Sequence, residues 1–351
     1  MNDFRTRPDL DVYTSSTGLP PWQQPPRRPP VRPRVAIHIV LFALTFVTTS
    51  FAGALNAGVD PFVDWAGIRA GFPFSVTLLT ILLCHEMGHY FLARYHDVEA
   101  SLPYFIPAPP FFLAGTLGAF IRMRSSPPSR KALFDVGAAG PWAGVLVAIP
   151  AIIVGLQMSD VRPAGLVEEG HLSLGEPLLF SALSYMTLGP IADGMDVFLH
   201  PVALAGWIGL LVTFLNLLPV GQLDGGHVAY AFIGRWHGIL ARAFFAVVAI
   251  LAFTGWPGWL LWVVLLLVVG LDHPPTLDNW TPLDVRRRVA SCLTGVLFLL
   301  TFMAEPLHFT EPSPIFEGDR VEVSWPQRNA IRSGHRLIPM PSRPQPKGIP
   351  L

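Results

Sequence analysis

Residues 85–89 read "HEMGH", two histidines four positions apart with a glutamate between them. Positions four apart share one face of a helix, so His85 and His89 can present imidazoles to one metal ion. Glu86 lies beside them, placed to polarise a water without being a ligand. Those residue types at that spacing suit metal-assisted hydrolysis, with a carboxylate as general base. Short patterns recur by chance, but this one interrupts the apolar stretch "LLCHEMGHYFLARY" at 82–95. Ionisable side chains are costly within a membrane span, so they mark function there.

The rest of the chain must position these groups. Of 351 residues, 51% are hydrophobic and 14% charged, where soluble domains carry nearer a quarter charged. The apolar residues cluster, which points to a multi-pass integral membrane protein embedded in a lipid bilayer. A net charge of zero gives no reason to expect nucleic acid as a partner. Cys84 and Cys292 both fall inside apolar runs, which argues against a disulfide framework. A bilayer core takes roughly 20 apolar residues as helix. Residues 35–55, 72–93, 136–158 and 201–223 qualify, the second apart from its histidine motif. Residues 243–271 are uncharged but split by "GWPG" at 255–258, which favours a hairpin of two helices. Residues 289–304 are a weaker candidate. The expected fold is therefore an all-α polytopic membrane protein of about six to seven transmembrane helices. Residues 1–34 and 305–351 are rich in proline and arginine or proline and are expected to be disordered tails, flanking a transmembrane domain at 35–304.

Basic residues fix the expected sidedness. Arg27, Arg28, Arg32 and Arg34 put the N-terminus in the cytoplasm. Arg94, Arg122, Arg124, Arg130 and Lys131 follow the second span on that same side, whereas the acidic segment 159–200 faces outward. A catalytic zinc usually takes three protein ligands. His96 and Asp97 lie where the second span leaves the membrane, and Glu99 is loop-like. Asp224, in "NLLPVGQLDGGHVAY" at 216–230, ends the fourth apolar run at the cytoplasmic depth of His89 and is the better third ligand. Asn216 is a polar amide near the end of that run, suited either to steadying an oxyanion or to an interhelical hydrogen bond. Gly137, Gly140 and Gly144 suggest close helix packing without a chemical role. His227 and His38 are expected to be structural.

Three blocks, "HEMGH" at 85–89, "AAGPWAG" at 138–144 and "NLLP…LDGGH" at 216–227, together resemble the site-2 proteases, zinc metalloproteases that cut transmembrane helices within the bilayer. The resemblance covers residues 72–235. It implies one Zn2+ held by His85, His89 and Asp224, with Glu86 as general base and a transmembrane-helix protein as substrate. It also implies a membrane-associated β-hairpin or re-entrant segment at 111–123, "FFLAGTLGAFIRM", whose edge pairs with extended substrate. Gly115, Thr116 and Gly118 are the positions there expected to shape that edge, the glycines by allowing close backbone approach. The lack of a transit peptide favours a bacterial cytoplasmic membrane. The competing classes are a proton- or metal-ion-conducting transporter and a catalytically silent zinc-binding scaffold. Oligomeric state is not legible.

Overall fold

The computed structural model describes residues 35–109, 111–163 and 172–309. The N-terminal tail and residues 310–351 of the expected C-terminal tail lie outside them. The chain is mostly helical with a few short strands. Among the described residues, four segments are long and apolar enough to cross a membrane: Val35–Asn56, Trp65–Tyr95, Arg130–Gln157 and Asp224–Thr254. Their outer faces carry large exposed apolar side chains, among them Ile39, Leu146 and Phe253. Such a surface calls for lipid rather than water.

Helix α1 (Val35–Asn56) packs on α2 (Phe72–Tyr95), which a 3-10 turn at Trp65–Gly71 leads into. Pro73 sits in the first turn of α2, where its missing N–H costs nothing. Small and hydroxyl side chains line the α1–α2 seam, with Thr49 and Ser75 hydrogen-bonded across it. His38 Nδ1 donates to the Pro103 carbonyl at 3.0 Å, the satisfied structural histidine expected. Strands β1 (Tyr104–Pro107) and β2 (Thr116–Phe120) form an antiparallel hairpin, with Tyr104 opposite Phe120 and Phe105 opposite Ala119. The hairpin thus begins earlier than 111–123, because "YFIP" itself is its first strand.

Helix α3 (Arg130–Gln157) lies centrally, against α2, α5 (Pro201–Asn216) and α6 (Asp224–Ile233). It starts six residues before the expected 136, because Ser129 caps it, its hydroxyl accepting from the Ala132 N–H. The segment after α3 holds β3 (Asp160–Pro163), β4 (Leu172–Leu174), α4 (Leu178–Leu188) and β5 (Met195–Phe198), β3 pairing with β5. Helices α7 (His237–Thr254) and α8 (Gly258–Val269) pack together as a hairpin around residues 255–257. Helix α9 (Val285–Thr301) follows, and β6 (Leu307–Phe309) pairs with β4, so the first residues of the expected tail belong to the fold. Both cysteines are free.

One expected span breaks early. The run 201–223 is helical only to Asn216, and α6 begins at Asp224. Pro219 disfavours helix in the residue before it, and Gly221 takes a left-handed φ of 55°. Asp224 therefore opens a helix rather than closing one, and a carboxylate suits the first turn.

Candidate metal centre and active site

His85, Glu86 and His89 are buried on α2. Asp224, from the first turn of α6, brings its Oδ2 to 3.1 Å from His85 Nε2 and 3.2 Å from His89 Nε2. The two Nε2 atoms are 3.1 Å apart. Three residues 139 positions apart at most in sequence thus point three ligand atoms at one spot. Four-coordinate zinc with bonds of about 2.0–2.1 Å would space its ligand atoms about 3.3 Å apart, close to what these atoms show. The tautomer of His89 agrees. His89 Nδ1 lies 2.7 Å from the Val136 carbonyl, which only accepts, so Nδ1 carries the proton and Nε2 keeps its lone pair. Lone pairs and a carboxylate crowded this closely repel unless a cation or protons lie among them. Zinc fits this donor set and spacing.

The loop before α6 explains how Asp224 gets there. A Cβ on Gly225 would meet the Leu217 carbonyl oxygen at 1.9 Å, and one on Gly226 the Gly221 oxygen at 2.4 Å. Only glycines let the first turn of α6 nestle onto residues 217–221. Arg130, at the start of α3, donates to the Ala231 and Phe232 carbonyls and ties down the other end of α6.

The small residues of α3 have a role that the sequence did not suggest. Gly137, Gly140 and Gly144 form one stripe, spaced i, i+3 and i+7. A Cβ on Gly140 would lie 1.9 Å from His89 Nε2, and one on Gly144 3.3 Å from His85 Nδ1. A Cβ on Gly137 would press on His227 at 2.7 Å. The stripe therefore makes room for the imidazoles themselves. The legible signal was its match in spacing to the i, i+4 histidine pair on an antiparallel neighbour.

A cavity of about 180 Å3 opens onto the trio. Its walls include Glu86, Asn216, Asp224, His227 and the end of the hairpin at Ala119, Phe120 and Ile121. Asn216 Nδ2 stands 3.4 Å from His85 Nε2. The other expected positions sit in the hairpin but off the cavity wall. Gly115, with φ 64°, abuts the Thr48 carbonyl of α1, where a Cβ would come within 2.5 Å. Thr116 donates its hydroxyl to the Ile106 carbonyl and accepts from the Gly118 N–H, closing the hairpin internally. Gly118, with φ 96°, has open space on its Cβ side. At the basic end, Asp135 of α3 is held by His96 at 2.8 Å and by two bonds from Arg287, clamping α2, α3 and α9. Arg287 also bonds Asp284, and those hydrogen bonds hold the Asp284 carboxyl below the usual carboxylate range.

Residues 73–255 match the family model of Peptidase family M50. The chain is 38% identical over 172 residues to the "Probable zinc metalloprotease EGY1, chloroplastic" of Oryza sativa subsp. japonica, covering 48% of this chain and 29% of that protein. It is 38% identical over 178 residues to the protein of that name from Arabidopsis thaliana, covering 50% and 31%. It is 29% identical over 260 residues to the "Probable zinc metalloprotease EGY3, chloroplastic" of Oryza sativa subsp. indica, covering 65% and 41%. The chain thus spans under a third of the length of the EGY1 relatives. The matched region runs from the start of α2 through α7, taking in both helices that carry the ligand trio, and on it the chain belongs to peptidase family M50.

Proposed function

We propose that this protein is an intramembrane zinc endopeptidase that hydrolyses peptide bonds in transmembrane segments of other membrane proteins. The observation that carries this is the meeting of His85, His89 and Asp224 ligand atoms at 3.1–3.2 Å beside Glu86, in a cavity walled by a strand edge. Those three residues would hold the ion. When bound, zinc acts as a Lewis acid that polarises the scissile carbonyl and lowers the pKa of water. Glu86 takes the proton from the attacking water and returns it to the leaving nitrogen, ending in its starting charge state. Asn216 lies close enough to aim its amide N–H at the carbonyl oxygen as charge develops there. Gly115 holds the hairpin against α1, Thr116 closes it internally, and Gly118 presents no side chain to block approach, so the edge of β2 away from β1 can accept an unwound substrate as a further strand.

We further infer that α5, α7, α8 and α9 cross the bilayer with α1, α2 and α3, for the six to seven spans expected. At 16 residues α5 is about 24 Å long, short of the ~30 Å hydrocarbon core. Its burial against α2 and α3 and the loop that continues it to Asp224 support the crossing. The basic residues at these helix ends support a site toward the cytoplasmic half, with cleavage there and the N-terminus on that side. Relatives named as chloroplastic lend no support to a bacterial cytoplasmic membrane, and an integral membrane location is what we keep. A head-to-head ligand trio favours hydrolysis over ion conduction, which needs no such trio.

The test is purification in detergent, with bound zinc measured and a single-span substrate offered to wild type and Glu86→Gln. Zinc in both with cleavage only by wild type is expected. Cleavage surviving in Glu86→Gln rules out the assigned base, and ion flux in liposomes without proteolysis rules out the protease.

A further inference from the structure

His227 lies three residues beyond Asp224 on the same face of α6 and lines the cavity beside it. Its hydrogen-bonding state follows from its neighbours. His273 Nδ1 is 2.6 Å from the Pro274 carbonyl, which accepts only, so that nitrogen carries a proton. His273 Nε2 then holds a lone pair, and His227 Nδ1, 2.7 Å away, must donate to it. The reverse arrangement would need a doubly protonated His273. Burial opposes that, holding His273 down at about 4. Neutral His227 consequently has its lone pair on Nε2. That nitrogen has no hydrogen-bond partner among the described residues, and it is not one of the two sealed, unpartnered side-chain atoms, Ser50 Oγ and His237 Nε2. His227 lines the cavity, and Nε2 is the ring nitrogen its pairing with His273 leaves free to serve it. That nitrogen also falls outside the set of atoms close enough to share the ion.

We propose that His227 is a substrate-positioning residue whose Nε2 accepts a hydrogen bond from a peptide N–H of the unwound substrate next to the scissile bond. This rests on the protease function proposed above. Unwinding a helix at membrane depth frees backbone N–H groups that find no water to bond, and each needs an acceptor. Of the cavity's other side-chain acceptors, the Glu86 and Asp224 carboxylates are committed to the proton and the ion, which leaves His227 Nε2 and the amide oxygens of Asn216 and Gln222. The relay Pro274–His273–His227 fixes the tautomer that leaves an acceptor facing the site.

The experiment uses synthetic single-span substrates in which successive backbone N–H groups near the cleaved bond are replaced by ester oxygens. Wild type should lose about tenfold in kcat/KM at one ester position. His227→Leu should be about tenfold slower on the all-amide substrate, show no added penalty at that ester position, and retain full zinc. His227→Gln, whose amide oxygen can accept, should recover most of the rate and the ester penalty. Equal ester penalties in wild type and His227→Leu, or zinc lost from His227→Leu, overturn the proposal. Failure of wild type to cut the all-amide substrate instead sinks the protease function beneath it.

Discussion

Replacing Gly140 by alanine adds one methyl group to the helix that backs the proposed metal ligands. That methyl would lie 1.9 Å from His89 Nε2 and 2.4 Å from two ring carbons. Restoring even a 3.0 Å contact requires the ring to retreat by about 1.1 Å, whereas metal–ligand distances tolerate only about 0.2 Å. The ring has little freedom to comply, because its Nδ1 is tied at 2.7 Å to Val136 on the same helix. Changes behind a ligand commonly cost 10- to 100-fold in metal affinity; a ligand pushed off its position should cost about 100-fold or more, or about 2.7 kcal/mol. Gly144→Ala is the internal comparison. Its methyl would stand 3.3 Å from His85, a contact relieved by tenths of an ångström. We expect its zinc affinity to stay within about threefold of wild type. Alanine is the better helix former by about 1 kcal/mol, so neither variant should lose helix content. The assay is competition for zinc against a chromophoric chelator in detergent, with circular dichroism and thermal unfolding on the same samples. Wild-type affinity in Gly140→Ala, or equal losses in the two variants, would refute the idea that the stripe shapes the site.

Three further outcomes follow from the geometry. Asp224→Asn removes the only carboxylate of the trio and should lower zinc affinity at least about 100-fold, read by chelator competition; retained affinity would remove Asp224 from the ligand set. His273 has its pKa lowered from 6.5 to about 4 by burial, so the unfolded chain takes up a proton before the folded one does. Stability should be full above about pH 6.5 and fall as pH drops toward 4, with a shallower fall in His273→Gln, both measured by thermal unfolding. A helix keeps its carbonyls hydrogen-bonded and wrapped by side chains, so a substrate must unwind locally before a peptide bond can reach the site. Glycine or proline near the scissile bond of a substrate should therefore raise its cleavage rate, and a polyleucine replacement should lower it.

Much of the site was legible because its chemistry is written in residue type. An i, i+4 histidine pair with an adjacent glutamate inside an apolar run has few other uses, and hydropathy with basic-residue bias brought Asp224 to the same depth. The role of the α3 glycines was hidden because a glycine reports only that something comes close, and here the something is an imidazole on another helix. The pairing of His227 with His273, 46 positions apart, carries no local signal at all. The clamp on Asp135 is likewise set by the ends of three helices. The error at 201–223 had a different cause. Hydropathy is blind to backbone direction, so an apolar turn reads as more span, although Pro219 and Gly221 already spelled the break. Extension of α3 back to Arg130 went unseen for the converse reason, since a charged first turn lowers hydropathy without opposing helix.

The two halves of the proposed metal site are held differently, and this bears on how the protein can be perturbed. His85 and His89 ride on a 24-residue helix that packs along α3, so their spacing is a property of regular structure. Asp224 depends instead on a seven-residue turn whose shape is set by backbone contacts. Gly221 donates its N–H to the Leu271 carbonyl and lies so close to Gly270 that a Cβ would meet its oxygen at 2.2 Å. The end of α8 thus props the turn that aims the third ligand. A small shift of the α7–α8 hairpin would be passed to Asp224 through carbonyl contacts that cannot compress, while the histidine pair stayed where it is. Control of such a site is therefore more easily exerted from the hairpin than from the helix bearing the histidines.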